Sequence, residues 1–216
     1  MLNFLFSDPL SFLIWAGALL SAITVHEFAH ALAADRLGDP TPKIQGRLTL
    51  NPLAHLDPLG TLMLVLVRFG WGKPVEFDPF NLKNPRRDAA IISLAGPTSN
   101  LILASVLAII LRVFSSDLSP FNPISFILPP FILLNISLAI FNLVPLHPLD
   151  GGKILVGLMP HKYAVATESF LTQYSTIFLI LAILPIWNGT SPIFAIISPL
   201  INLLTAILLP TYGKFI

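Results

Sequence analysis

Long, nearly uninterrupted apolar stretches constrain this sequence more than any other feature. Five stand out, at about 9–34, 88–113, 124–146, 165–187 and 192–210. Each is near or above the ~20 residues that a helix needs to cross the hydrocarbon core of a bilayer. Of 216 residues, 55% are hydrophobic and 11% charged, and the mean hydropathy is +0.82. Soluble domains carry roughly 25% charged residues, so a water-soluble fold has too few charges here to cover its surface. The same composition excludes disorder. A net charge of +1 offers nucleic acid no electrostatic footprint. With no cysteine, neither a disulfide framework nor a thiolate metal site is available. The first stretch lacks the basic leader of a signal peptide. The expectation is an all-α polytopic membrane protein in a lipid bilayer, one domain over 1–216, with five to six transmembrane segments and no nucleic-acid partner.

A sixth apolar stretch, Thr61–Val67, is less than half of the ~20 residues a span requires, and Arg68, Gly70, Gly72, Lys73 and Pro74 follow it closely; it is a short span or a dip that returns to the same face. The positive-inside rule decides between a span and a dip. If it crosses, the basic residues divide eight to four. If it dips, eleven of the twelve lie on one face and Arg112 stands alone on the other. The dip is the better fit. It gives five crossings, an external N-terminus, a cytosolic C-terminus, and a short re-entrant or β segment at about 59–80. Backbone of that kind must be shielded by protein or line a wet cavity. Gly70–Phe77 reads either as a short strand whose edge accepts an extended peptide or as an interfacial anchor with Trp71 and Arg68 at the headgroups; Pro74 weakens the strand edge.

The first span contains His26-Glu27-Phe28-Ala29-His30, the H-E-x-x-H pattern of zinc proteases. Residues four apart share a helix face, so both imidazoles reach one tetrahedral Zn2+. Glu27 is then placed to take a proton from a zinc-bound water. Ionisable groups inside a membrane helix are costly and functional by default, and a divalent cation is their simplest partner.

Two histidines leave catalytic zinc one protein ligand short. The candidates are His55, Asp57, His147, Asp150 and His161. Asp150 is preferred, with His147 competing. Asp150 lies where Pro145 and Pro148 break the helix and Gly151-Gly152 permit close backbone approach. Plain turn chemistry explains the same residues. Only the dip brings the His pair and Asp150 to one face, so the charge count and the zinc reading select the same topology. Asn100, Asn135, Ser137 and Asn142 are candidates for lining a polar cavity; packing explains Asn135 and Ser137 equally well. His55 is a candidate transition-state group or a loop residue. A metal transporter would spread ionisable residues along several spans, whereas here they cluster at one end; a catalytically dead scaffold would not need Glu27.

The chain resembles the site-2 protease family of intramembrane zinc metalloproteases. The resemblance rests on His26–His30, on Leu94-Ala95-Gly96-Pro97-Thr98-Ser99-Asn100 and on Asn142–Gly152, in that order. Gly46–Pro52 and His55–Pro58 are similar to the compact prokaryotic branch. The resemblance implies zinc held by His26, His30 and Asp150, with Glu27 as catalytic base. It implies a three-helix core from the spans at 9–34, 88–113 and 124–146, and a substrate-contacting role for Asn142. The substrate it implies is a transmembrane-helix protein in a prokaryotic cell membrane, cut near the cytosolic face. The catalytic region spans 9–160, and the helices of 161–216 are accessory. The sequence departs from larger relatives in showing neither a PDZ domain nor a cystathionine-synthase-like domain.

Overall fold

A computed structural model of the protein describes residues 7–67, 70–114, 123–185 and 189–209, with 64–67 described in backbone only. Arg68 and Lys214, which enter the charge count, lie outside the described residues. Helix α1 (Pro9–Leu37) starts where Asp8 Oδ1 accepts the Ser11 N–H at 3.1 Å, with Pro9 in the first turn, and stops at Gly38, whose φ of 107° is left-handed. The short helix α2 (Thr41–Ile44) follows. Helix α3 (Pro58–Val67) comes next, then α4 (Pro85–Phe114), α5 (Pro123–Asn142), α6 (Asp150–Leu158), α7 (His161–Ile183) and α8 (Pro192–Leu208). Four helices, α1, α4, α5 and α7, are long and apolar enough to cross a membrane; α8 is apolar but shorter.

Helices α1, α4 and α5 pack on one another as the central bundle. The buried face of α1 is built from small residues, Ala18, Ala22, Ala31 and Ala34, together with His26 and His30. Gly96, Ala104 and Ala108 do the same for α4. Small residues let helix backbones approach closely where lipid supplies no hydrophobic drive. The α1 histidines face residues 92–100 of α4, so the two helices run antiparallel.

The segment between α1 and α4 leaves and returns at one end of this bundle. Asp39, just past α1, accepts from Thr41 (N, 3.1 Å; Oγ1, 2.6 Å), from Asn81 Nδ2 (2.8 Å) and from the Asp78 N–H (2.8 Å). It thereby ties the start of the excursion to its finish. Midway, Leu56 and Gly72 form an isolated antiparallel bridge, and a Cβ at Gly60 would lie 2.1 Å from the Trp71 carbonyl oxygen. Helix α3 therefore sits inside a closed loop and returns to the level at which it began. At ten residues it is about 15 Å long, half a bilayer core. The strand expected at 70–77 forms no sheet among the described residues; Gly72 makes only the isolated bridge to Leu56. The segment's amides are already engaged: Lys73 N–H by the His55 carbonyl (2.8 Å), Val75 N–H by Glu27 (2.8 Å) and Asp78 N–H by Asp39.

The C-terminal pair departs from the sequence reading. Helix α6 lies along the first half of α4, with Gly157 against Ala90 and Arg86, so α7 begins at that end of the bundle. Helix α8 finishes at the other end, where Arg112 of α4 donates to the Ile207 carbonyl. Together α7 and α8 make one net passage, not the two expected from counting apolar stretches. Ser191, just before α8, donates its Oγ to the Ala182 carbonyl near the end of α7 at 2.7 Å, and α8 alone is about 26 Å long.

Candidate metal centre

His26 and His30 stand one turn apart on α1, and both are buried. Their Nδ1 atoms are committed to neighbours. His30 Nδ1 lies 2.7 Å from the Ile92 carbonyl oxygen, which only accepts, so this nitrogen carries the hydrogen. His26 Nδ1 lies 2.6 Å from Asn100 Oδ1, again an acceptor. A ring whose hydrogen sits on Nδ1 can offer the Nε2 lone pair to a metal. Both Nε2 atoms converge on one oxygen of Asp150, at 3.0 and 3.2 Å. The three ligand atoms lie within 4.8 Å of one another. Two lone pairs and a carboxylate aimed at one point repel unless a cation lies among them. The donor set, two imidazole nitrogens and one carboxylate oxygen, suits a catalytic zinc whose fourth position is taken by water. The Nδ1–H bonds are the outer support that metal-binding histidines ordinarily have.

Close helix approach makes this convergence possible. A Cβ built on Gly96 would lie 2.5 Å from the His30 ring and 2.7 Å from that of His26. Asp150 is the first residue of α6. The chain folds back to it so tightly that a Cβ on Gly151 would meet the carbonyl oxygens of Val144 and Leu143 at 2.3 and 2.4 Å. Glu27 sits beside His26, and its Oε2 accepts the Val75 N–H at 2.8 Å, which brings the extended segment across the site. Lys153, three residues beyond Asp150 and so on the same face of α6, lies with Nζ 4.6 Å above the Phe77 ring. Burial lowers its pKa, against the pull of Asp150 and Glu27.

The other candidates are placed elsewhere. His147 lies outside the ligand cluster and rests on Gly152, where a Cβ would meet its Nδ1 at 2.8 Å. Burial, then the Lys153 charge, holds it below the ordinary histidine range. Asn142 turns back on its own helix and donates to the Leu138 carbonyl at 3.0 Å. His55 is fully buried, with Nε2 2.8 Å from the Thr49 carbonyl oxygen and Nδ1 without a partner among the described residues. Its backbone carbonyl, not its ring, reaches toward the site by holding Lys73. Asp57 accepts the Gly60 N–H at 2.6 Å at the start of α3, and His161 is exposed at the start of α7. Asn100 and Asn135, read as cavity-lining candidates, are completely buried and bonded to each other at 2.7 Å. Sequence reasoning missed the contacts of Val75 and Lys153. The spacing of Lys153 from Asp150 was the available signal for the second; a backbone amide such as that of Val75 leaves none.

Comparison with known proteins agrees with this geometry. A Bacillus subtilis protein named Putative zinc metalloprotease YwhC is 39% identical over 179 residues, covering 78% of this chain and 79% of that protein. The chain belongs to peptidase family M50. The M50 model itself matches residues 116–183, a region that includes Asp150. A Mycobacterium tuberculosis protein named Putative zinc metalloprotease Rip2 is 33% identical over 190 residues, 82% of this chain and 69% of that protein. Zinc metalloprotease MJ0392 of Methanocaldococcus jannaschii is 28% identical over 145 residues, 67% of this chain and 34% of that protein. No solved structure matches. M50 membership makes this chain a zinc metalloprotease of the site-2 protease kind, and its apolar helices make it a membrane protein.

Proposed function

We propose that this M50 protein is an intramembrane endopeptidase that hydrolyses peptide bonds in or near transmembrane helices of membrane-protein substrates. His26, His30 and Asp150 hold the zinc, and Glu27 is the catalytic base. The observation that carries this reading is the convergence of two imidazole Nε2 atoms, each on a ring whose Nδ1 is held by an oxygen acceptor, on the Asp150 carboxylate, with Glu27 alongside.

A bound zinc ion supplies Lewis acidity, which makes a water acidic near neutral pH and polarises a peptide carbonyl. Glu27 takes the water's proton and passes it to the departing amide nitrogen. The Val75 N–H orients the Glu27 carboxylate. Lys153 supplies a buried positive charge beside two carboxylates, where negative charge grows as the carbonyl is attacked. A substrate helix keeps its carbonyls in i to i−4 bonds and must unwind locally before one is attacked. A substrate or transition-state role for His55 or Asn142 would require the side chain to turn away from the Thr49 or Leu138 carbonyl that holds it. The site opens toward the cytosol of a prokaryotic cell membrane, with the N-terminus outside. Support comes from the charges: Arg36, Lys43, Lys83, Arg86 and Arg87 flank the site end of the bundle, and Arg112 lies at the other.

Purified protein with zinc is expected to cleave a transmembrane-helix substrate, to stop on chelation and to resume on zinc addition. Asp150→Ala should lower zinc occupancy in the purified protein; unchanged metal content would remove Asp150 from the ligand set and return His147 to it.

A further inference from the structure

We propose that Asn135, on a helix that supplies no metal ligand, is a positioning residue for His26. It acts through Asn100, and the proposal rests on the zinc reading above. Asn135 and Asn100 are both completely buried, on α5 and α4 respectively. A path of four hydrogen bonds runs from α5 to the metal centre. Asn135 Nδ2 donates to the Phe131 carbonyl at 2.8 Å. Asn100 Nδ2 donates to Asn135 Oδ1 at 2.7 Å and to the Ala22 carbonyl at 2.9 Å. Asn100 Oδ1 then faces His26 Nδ1 at 2.6 Å.

The direction of every link is forced. A backbone carbonyl only accepts, so the end of Asn135 that faces Phe131 must be its NH2, and its oxygen must face Asn100. Asn100 meets two acceptors, Asn135 Oδ1 and the Ala22 carbonyl, and both its N–H bonds are spent on them. The end left for His26 is an oxygen. His26 Nδ1 must therefore carry the hydrogen, and Nε2 is left bare to bind metal. An amide's polarity set on α5 is thus transmitted across α4 to the tautomer of a ligand on α1.

An asparagine between two membrane helices also serves simply to hold them together. The two roles predict different measurements. Positioning predicts weaker zinc binding in a folded protein; adhesion predicts lower stability of the metal-free protein with zinc binding unchanged. The experiment measures zinc affinity by competition with a chelator, and the thermal midpoint of the metal-free protein, for wild type, Asn135→Leu, Asn135→Ser, Asn100→Leu and the Asn100→Leu/Asn135→Leu double variant. Asn100→Leu removes the direct support of a ligand and should weaken zinc binding by about 10–100-fold. Asn135→Leu, one link further away, should weaken it by about 3–10-fold, and Asn135→Ser should act in the same direction. The double variant should bind zinc no more weakly than Asn100→Leu alone, because without Asn100 the path from Asn135 is gone. The absorption spectrum of the cobalt-loaded protein should change in Asn135→Leu, reporting altered ligand geometry. Zinc affinity unchanged in both Asn135 variants, or effects that add in the double variant, would overturn the proposal. Wild-type protein that fails to bind zinc would instead overturn the metal-centre reading itself, and the relay with it.

Discussion

Gly96 shows how single residues set this site. It belongs to α4, yet its missing side chain is the space that the His26 and His30 rings occupy. Gly96→Ala puts a methyl group 2.5 Å from the His30 ring, which forces the helix or the rings to move. The expected result is zinc binding weakened by at least tenfold, on the order of a lost supporting contact, and a protein destabilised by about 1–3 kcal/mol through overpacking. A zinc titration and a thermal melt check both; full affinity with an unshifted melt would show that α4 can recede at no cost. The pair His26 and His30 was legible in the sequence because its chemistry is local, four residues on one helix face. Asp150 was legible only by combining turn residues with topology. The fits of Gly96 and Asn100 against the histidine rings were not, since those residues are about seventy positions from their partners.

At the scale of elements, the segment at 70–78 joins the loop to the Glu27 carboxylate, and Asp39 is its anchor. The short apolar stretch at 61–67 reads as a dip from the distribution of basic residues, and the bridge from Leu56 to Gly72 returns the chain to the level at which α3 begins. The strand was over-read: Gly70–Phe77 reads as offering a free edge, whereas His55, Glu27 and Asp39 take the amides of Lys73, Val75 and Asp78. Asp39 also gives a pH dependence. Burial raises its pKa, but hydrogen bonds from Thr41, Asn81 and Asp78 outweigh this and leave it below the ordinary carboxylate range. A folded-state pKa below the unfolded value of about 3.9 means that the contribution is fully present above that value. It is lost as pH falls through the lower folded-state value. The thermal midpoint should therefore fall on acidification below about pH 4, and less steeply in Asp39→Asn. Asp39→Ala should cost about 2 kcal/mol at neutral pH, the scale of hydrogen bonds to a charged group. An Asp39→Ala melt equal to wild type would dismiss the anchor.

For the whole molecule, hydropathy located the helices but not how the last two are used. Apolar length fixes that a stretch suits lipid, not whether it runs straight across. The joint passage of α7 and α8 follows from contacts such as Arg112 with Ile207, which no window of sequence contains. Because the chain has no cysteine, single cysteines report on sidedness without background. Cysteines placed at Ile44 and Phe80, both exposed, should react with an impermeant thiol reagent from the same side of the membrane; labelling from opposite sides would contradict the closed excursion between α1 and α4. The central claim is that Glu27 performs chemistry at a zinc ion held by its neighbours. Zinc content and cleavage of a transmembrane-helix substrate, measured together on Glu27→Gln, test it most directly. The account predicts full zinc occupancy with cleavage reduced by about 100-fold or more, the scale of a lost general base. Zinc retained with cleavage at the wild-type rate would contradict it.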